Sequence, residues 1–366
     1  MWERKGLLRR LSSNPILEPI AAHPWELKLV YNAAAFRIGA TIYLLYRGLG
    51  DEHISRLGLA WTQDGTHVAG RLPYPVFEPK EDYELPSEET RKARPREKGG
   101  CEDSRATIIG DRIYIVYTAY GELCQIALAS IKVARFLKLV ETSAEGSWSQ
   151  EAAKQAWTRA WTRHGLVFPQ LPTQGVFSRN ACVFPIWTGT QIMGYGLIYR
   201  IGRGPIKISY TPSPLGPWSE GEVLMGPEQP WERERMGICT PPIRTTYGQL
   251  FFYHGVEPTG QGGRIYRLGC FFARFSGDER GAITHTIARS SQPVLSPKRD
   301  YERRSEWLEP LHVYAVFSCG AVPLADKMIC EGDDEILLYY SGGDSRLCVA
   351  AARVSELARL VWGDTW

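Results

Sequence analysis

A short apolar step bracketed by prolines recurs five times along this chain, and each copy leads toward a β-type stretch. The copies span residues 15–19 (PILEP), 75–79 (PVFEP), 166–169 (LVFP), 223–227 (VLMGP) and 293–297 (PVLSP). A spacing of roughly 60 to 90 residues indicates one supersecondary unit repeated with loops of different length. Five such units around one axis make a β-propeller, which leaves only short, protected strand edges. The repeat therefore predicts an all-β, five-bladed β-propeller with one central funnel.

Composition agrees with one β-rich domain over residues 1–366. Length alone would allow two domains, but all-β folds of this size often stay single. The 36 glycines and 24 prolines suit many turns, and 11% aromatic residues suit strands. A formal net charge of +3 is too small to indicate nucleic acid or a membrane surface as partner. No apolar run has the length of a membrane span.

The cysteines and the start of the chain predict a cytoplasmic setting. Eight cysteines are scattered without a Cys-x-x-Cys pair, which argues against a zinc site and a disulfide framework. The basic first ten residues are followed by no apolar segment of the signal-peptide kind. The seven histidines do not cluster with other ligands, and no Gly-rich loop has nucleotide-binding spacing. We therefore expect neither a metal nor an organic cofactor.

Each repeat pairs a segment of small and apolar residues with a strand rich in aromatic residues. The first kind spans 32–37, 103–108, 180–185, 240–244 and 318–323, and the second spans 41–46, 112–117, 193–199, 250–253 and 336–340. Small residues suit strands that crowd around an axis, so the first kind is predicted to form the inner strands.

Three regions depart from the repeat. Residues 81–98 are charged and contain proline, which predicts a surface loop. Residues 131–163 contain two helix-like stretches, which predict a helical insertion between the second and third blades. The first thirteen residues are compatible with a short helix.

Charged residues recur where the inner strands begin. In the second repeat, Asp103 and Arg105 are two residues apart, so strand alternation places them on one face while Glu102 points elsewhere. The other repeats contribute polar residues at similar places, namely Asn32, Arg47, Arg56, Arg179, Asn180, Arg200, Arg235, His254, Tyr266 and Asp344.

Several cations beside few carboxylates make a natural socket for an oxyanion such as phosphate. Each residue also has a simpler interpretation: an arginine at a strand end is usually solvated, and Asp103 with Arg105 can be a structural ion pair. His254 can equally be a hydrogen-bonded core histidine. The functional interpretation is favoured because the same relative position carries charge in several repeats.

Five blocks of this sequence, in order, resemble the mannoside phosphorylases of glycoside hydrolase family 130. The blocks are 101–105 (CEDSR), 179–185 (RNACVFP), 237–245 (GICTPPIRT), 253–256 (YHGV) with 266–269 (YRLG), and 316–320 (VFSCG). The similarity extends from about residue 14 to 351. It implies a five-bladed propeller that cleaves β-mannosides with inorganic phosphate and releases α-mannose 1-phosphate.

By position, the resemblance implies Asp103 as the single catalytic acid. It implies a phosphate-binding set of Arg179, Asn180, Arg200, His254 and Tyr266. It implies a substrate-binding set of Asn32, Arg47, Arg56 and Asp344, to which we add Arg105 and Arg235, the latter standing where the family usually has lysine. Ser104 departs from the usual proline, and the insertion at 131–163 is not part of the family pattern.

Phosphate is already an anionic nucleophile, so an inverting phosphorylase needs one acid where an inverting hydrolase needs an acid and a base. The sequence therefore favours phosphorolysis, with phosphate and a β-mannoside as the partners. A β-mannoside hydrolase of the same family and a non-catalytic sugar-binding propeller are the alternatives. The linkage, the acceptor sugar, the direction of the reaction and any homo-oligomer stay open at this stage.

Overall fold

The strands form three four-stranded antiparallel sheets and one ten-stranded sheet. The computed structural model describes residues 2–3, 7–94, 96–146, 148–260, 263–278, 282–303 and 313–363. The first sheet contains β3 (Leu29–Ile38), β4 (Thr41–Leu49), β5 (Arg56–Thr62) and β6 (Val68–Arg71). The second contains β7 (Gly100–Ile109), β8 (Arg112–Tyr120), β9 (Cys124–Lys132) and β10 (Thr162–Leu166). The third contains β11 (Ser178–Thr188), β12 (Gln191–Ile201), β13 (Ile206–Thr211) and β14 (Glu222–Met225).

The ten-stranded sheet consists of two antiparallel groups. One group contains β15 (Arg235–Ile238), β16 (Ile243–Thr245), β17 (Gly248–Pro258), β18 (Arg264–Gly277) and β19 (Ile283–Arg289). The other contains β20 (Val313–Pro323), β21 (Glu335–Gly342) and β22 (Arg346–Arg353), with β1 (Trp2–Glu3) and β2 (Arg9–Leu11) at its edge. A short parallel pairing of β18 with β20 joins the two groups.

The inner strands of the groups contact one another in a ring. Strand β3 contacts β7 and β20, β7 contacts β11, β11 contacts β15, and β17 and β18 contact β20. Four of the predicted inner segments lie in β3, β7, β11 and β20, whereas the segment 240–244 starts after β15 and ends within β16. The predicted all-β class is therefore confirmed, and the ring brings residues from every group to one centre.

The expectation of an N-terminal helix is wrong, because residues 9–11 form a strand. Strand β2 pairs with β22, so the start of the chain supplies an outer strand to the group that the end of the chain builds. Leu8 and Leu11 are buried, while Arg10 forms an ion pair with the buried Glu302. Pairing with the edge of β22 gives the backbone groups of residues 9 and 10 their hydrogen-bond partners, so this segment is a strand.

The predicted helical insertion is present but lies within the second sheet rather than between two blades. Helices α2 (Val133–Ala144) and α3 (Gln150–Ala160) separate β9 from β10, and β10 returns to pair with β9. Phe136 and Trp157 are fully buried and pack edge to face, with ring centroids 5.5 Å apart. Phe136 also packs on Tyr43 of the first sheet. The insertion therefore stabilises the first two sheets from outside.

The segment 81–98 is more structured than a charged loop. It contains a 3₁₀ turn at Asp82–Glu84 and helix α1 (Glu88–Ala93). The side chain of Ser87 caps α1 by accepting a hydrogen bond from the backbone N–H of Thr90. A fourth helix, α4 (Val354–Trp362), follows β22. The charged composition predicts a loop, but the Ser87 cap and the buried carboxylate of Glu84 hold the backbone of these turns in place.

The recurring proline-bracketed step leads to a recurring buried glutamate. Glu84 accepts hydrogen bonds from the backbone N–H groups of Lys80 and Glu81 and from the hydroxyl of Tyr117, and it forms an ion pair with Arg163. Three other groups repeat the arrangement of glutamate, tyrosine and arginine, as Glu26 with Tyr46 and Arg71, Glu232 with Tyr253 and Arg289, and Glu302 with Tyr340 and Arg10. A buried carboxylate satisfied in this way anchors each step against its sheet.

Candidate active site

A cavity of about 570 Å³ opens where the inner strands meet. Ten of the twelve site residues predicted from sequence line it: Asn32, Arg47, Asp103, Arg179, Asn180, Arg200, Arg235, His254, Tyr266 and Asp344. The wall also includes residues that the sequence did not single out, namely Tyr31, Arg94, Glu97, Tyr120, Glu122, Leu123, Cys124, Phe177, Arg203, Arg264 and Phe317. Residues up to 312 positions apart in sequence (Asn32 and Asp344) thus share one cavity.

Three polar residues of the wall sit on equivalent irregularities of the inner strands. Asn32, Asp103 and Asn180 have φ angles of 49°, 49° and 54°, and the pairing register shifts at each of them. Asn and Asp adopt this left-handed conformation more readily than other non-glycine residues. Each irregularity breaks strand alternation and leaves a short polar side chain at the cavity.

Asp103 is held by two donors from the first sheet. Its Oδ1 accepts hydrogen bonds from Nδ2 of Asn32 at 2.8 Å and from Nη1 of Arg47 at 3.3 Å. Burial raises the pKa of Asp103, but Arg47, Arg105 and the Asn32 hydrogen bond outweigh burial, and the net pKa is lowered. The carboxyl group is therefore ionised at neutral pH.

Two further carboxyl groups near Asp103 hold protons more tightly. Burial raises the pKa of Glu102 to about 7, against the attraction of Arg47 and Arg179. Burial and the neighbouring charge of Asp103 raise the pKa of Asp344 to about 6. Strand alternation predicts that the side chain of Glu102 points away from that of Asp103, so the sequence does not identify Glu102 as a site residue. In the fold its Oε1 accepts a 2.8 Å hydrogen bond from the same arginine, Arg47, that reaches Asp103.

Arg179, Arg200 and Arg235 form a group of cations on the wall, and Arg200 is the least neutralised. Its Nη2 donates to Oδ1 of Asn180 at 3.3 Å, its Nη1 donates to the carbonyl of Gly202, and its Nε is buried without a hydrogen-bond partner. Among the described residues, no hydrogen bond or ion pair joins this guanidinium to a carboxylate. Burial, Arg235 and Arg179 lower the pKa of Arg200 to about 10. The protein therefore holds a buried, repelled cation at the cavity.

The other two members of the predicted set, His254 and Tyr266, lie together. Their rings stack with centroids 6.0 Å apart, and the Tyr266 hydroxyl accepts a hydrogen bond from Arg235. Burial and the charges of Arg200, Arg105 and Arg235 lower the pKa of His254 well below its usual value, so its ring is neutral. A Cβ atom at Gly237 would lie 2.5 Å from Cε1 of His254 and 2.9 Å from Oδ1 of Asn180. Only glycine leaves room for both side chains there.

The structure places Arg105 and Arg56 outside the cavity wall. Arg105 donates to the backbone carbonyls of Asp103, Ile238 and Cys239, and thereby connects the second sheet to the β15 region. The shifted register at Asp103 removes the shared face that alternation predicted. Arg56 forms ion pairs with Glu52 and Glu78 outside the wall.

Antiparallel sheets around one polar cavity, with a carboxylate beside a group of arginines, form a concave site of the kind that binds small molecules. The family model described as beta-1,4-mannooligosaccharide phosphorylase matches residues 7–362. The chain therefore belongs to glycoside hydrolase family 130.

Relatives in sequence and structure cover nearly the whole chain. The chain is 29% identical to the 1,2-beta-oligomannan phosphorylase of Thermoanaerobacter sp. (strain X514), over 96% of this chain and 98% of the relative. It is 27% identical to the beta-1,2-mannobiose phosphorylase of the same strain, over 94% and 96%. A solved structure of beta-1,2-mannobiose phosphorylase from Listeria innocua has a similar fold, with a TM-score of 0.66 at 19% identity over 97% and 99% of the two chains.

Proposed function

We propose that this protein catalyses the inverting phosphorolysis of β-mannosides and releases α-mannose 1-phosphate. Asp103 is the general acid, and phosphate binds to Arg179, Asn180, Arg200, His254 and Tyr266. The observation that carries the proposal is the unneutralised Arg200: burial, together with repulsion by Arg235 and Arg179, lowers its pKa to about 10. A dianion such as phosphate would relieve this repulsion and accept hydrogen bonds from the arginines. No metal or organic cofactor takes part, and inorganic phosphate is the co-substrate.

Asp103 supplies the proton for the departing sugar. The pKa of Asp103 is lowered, so the carboxyl group must gain a proton before it can act as an acid. Phosphate brings negative charge, and the sugar excludes water from Asp103, a residue that is only 9% exposed. Both changes favour the neutral acid. Phosphate then attacks the anomeric carbon from the side opposite the leaving group, so one carboxylic acid suffices.

The mannosyl ring is assigned to the part of the cavity that surrounds Asp103. Asn32 and Arg47 bond to Asp103, and the charge of Asp344 acts on it. Amide, guanidinium and carboxyl groups match the paired donors and acceptors of sugar hydroxyls. Arg235 lines the same cavity and donates a hydrogen bond to Tyr266 of the phosphate-binding set. The linkage is β-1,2 or β-1,4, since the family model and the relatives carry names of both kinds.

A five-bladed architecture is part of the same proposal. The five antiparallel groups count as five blades of a single domain, and the short pairing of β18 with β20 joins neighbouring blades. A cytoplasmic setting is also proposed, because all eight cysteines are free and buried, and a reducing compartment suits such thiols.

The decisive experiment incubates the protein with β-1,2- and β-1,4-mannobiose in the presence of phosphate, of sulfate, or of neither anion. We expect mannose 1-phosphate only with phosphate, and as the α anomer by NMR. Sulfate serves as the control because it carries similar charge but gives no stable sugar phosphate. Release of free mannose at equal rates in all three conditions would identify a hydrolase. A β-anomeric product would contradict inversion.

A further inference from the structure

One arginine, Arg47, is shared by three carboxylates. Its Nη2 donates to Oε1 of Glu102 at 2.8 Å and to Oε1 of Glu97 at 3.0 Å, while its Nη1 donates to Oδ1 of Asp103 at 3.3 Å. Its Nε donates to the hydroxyl of Ser55 at 2.9 Å, and only 4% of the residue is exposed. Asp103 is therefore the most distant of the three partners of Arg47.

Glu102 is almost fully buried and faces charge on two sides. Its Oε1 bonds to Arg47, while its Oε2 lies 4.0 Å from Nη2 of Arg179. The other charged or titratable groups that act on Glu102 or Asp103 come from β3, β8, β9, their own strand, the 94–98 segment and the β21–β22 turn. They are Tyr31, Tyr120, Cys124, Cys101, Arg105, Glu97 and Asp344, together with Cys239, which follows β15, and Cys319 of β20.

We infer that Glu102 is a positioning residue for the acid Asp103. Glu102 competes with Asp103 for hydrogen bonds from Arg47, and its negative charge repels a negative charge on Asp103. Both effects favour the protonated form of Asp103. This inference rests on the proposed function and names the group that tunes its acid. Without Glu102, Arg47 would turn fully toward Asp103 and hold it as a carboxylate.

The two carboxyl groups titrate as a coupled pair. Burial raises the pKa of Glu102 to about 7, whereas the pKa of Asp103 is lowered, so the pair takes up a first proton near neutrality and a second only in stronger acid. In the reaction, Asp103 takes its proton from solvent and donates it to the oxygen of the leaving sugar, and solvent restores the proton before the next turnover. The proton carried by the attacking phosphate leaves with the product or returns to solvent, so each turnover is balanced in protons.

The test compares the pH dependence of phosphorolysis in the wild type and in Glu102→Gln, which keeps the shape of the side chain and removes its charge. A general acid loses activity as pH rises through its pKa. We expect the alkaline limb of kcat/KM for the mannoside, at saturating phosphate, to move to lower pH by about one unit or more in Glu102→Gln. The variant should approach the wild-type rate at acidic pH, whereas a purely structural loss would lower the rate equally at every pH.

Two further variants make the comparison specific. Glu97→Gln also removes a partner of Arg47 and should move the limb in the same direction by less, because the Glu97 side chain is 43% exposed and screened by water. If Glu102→Gln does not fold, the shift of the alkaline limb in Glu97→Gln tests the inference in its place. Glu122→Gln is the matched control: Glu122 lines the same cavity, but its carboxylate accepts from the backbone N–H of Ser87 and the hydroxyl of Thr90. Its limb should coincide with that of the wild type.

The possible results separate this inference from the proposed function. If the wild type is active with phosphate and the limb of folded Glu102→Gln is unchanged or moves to higher pH, Glu102 does not tune Asp103 and the inference is overturned. An equal shift in Glu122→Gln would attribute the effect to any cavity charge and would also overturn it. If the wild type shows no phosphate-dependent cleavage, the proposed function itself fails and the role of Glu102 fails with it.

Discussion

Replacement of Arg200 by methionine separates a binding role from a structural one. The pKa of about 10 for Arg200, against 12.5 ordinarily, means that the folded protein holds this charge at a cost of about 3 kcal/mol. The guanidinium is charged in both the folded and the unfolded protein at neutral pH. The full destabilisation from this charge is therefore present at pH 7, and it is lost only as pH rises above the pKa of Arg200 in the folded protein. Methionine removes the cost but also the hydrogen bonds to Gly202 and Asn180, at roughly 0.5–1.5 kcal/mol each.

The balance predicts that Arg200→Met raises the free energy of unfolding by about 1 kcal/mol or leaves it unchanged. A charged hydrogen bond to bound phosphate contributes about 1.5–3 kcal/mol. The variant should therefore raise the KM for phosphate by about 10- to 100-fold, since every 1.4 kcal/mol is tenfold. Phosphate should also raise the melting temperature of the wild type more than that of the variant.

Arg163→Met is the matched control for this experiment. Arg163 is also a buried arginine, but it is paired with the fully buried Glu84 at 3.0 Å. Its loss leaves an uncompensated carboxylate and should cost about 3 kcal/mol or more of stability, with little effect on the KM for phosphate. Urea denaturation and initial rates at varied phosphate measure both quantities. If Arg200→Met destabilises the protein as much as Arg163→Met and leaves the KM for phosphate unchanged, Arg200 is a structural residue and the anion socket is refuted.

Three other predictions concern single residues of the cavity. Asp103→Asn should reduce phosphorolysis at least 1,000-fold, an order-of-magnitude estimate for loss of the acid, with an unchanged circular dichroism spectrum; turnover near the wild-type rate would remove Asp103 from the mechanism. Gly237→Ala should raise the KM for phosphate several-fold, because its Cβ would displace His254 and Asn180. Kinetics identical to the wild type would show that these side chains can shift without weakening phosphate binding. Asp344→Asn should raise the free energy of unfolding by up to about 3 kcal/mol at pH 8 but leave it unchanged at pH 3.5. The reason is that the pKa of Asp344 is raised to about 6, so the ionised carboxylate destabilises the folded protein only as pH rises through that value. Urea titrations that give equal differences at both pH values would contradict this prediction.

Much of the site followed from local sequence. Asp103 and Arg179 lie near the beginnings of β7 and β11, Arg200 lies at the end of β12 and His254 lies in β17, and all four line one cavity. Two of the predicted residues lie outside the wall for specific reasons. Glu52 and Glu78 hold Arg56 in ion pairs away from the cavity. Strict alternation predicts that Arg105 shares a face with Asp103, but the register shift at Asp103 interrupts the alternation.

Other features could not have been found by reading the chain in segments. Glu97 belongs to a stretch that resembles a solvated loop, yet it contacts Arg47 at the cavity. Gly237 is one of many glycines until His254 and Asn180 are placed on both sides of it. The helical insertion was recognised from composition, but its place within the second sheet depends on the return of β10 to β9.

The amino-acid sequence alone determined the β class, the recurring proline-bracketed step and most of the polar residues that meet at the centre. These properties depend on local chemistry, such as proline steps, aromatic strands and short Asn or Asp side chains that tolerate a left-handed backbone. Only the tertiary structure decided how the charges are balanced: which carboxylates share Arg47, and that Arg200 has no anionic partner among the residues described. Proton affinities in a buried cavity depend on distances between side chains that are far apart in sequence, and those distances exist only once the ring of sheets has formed.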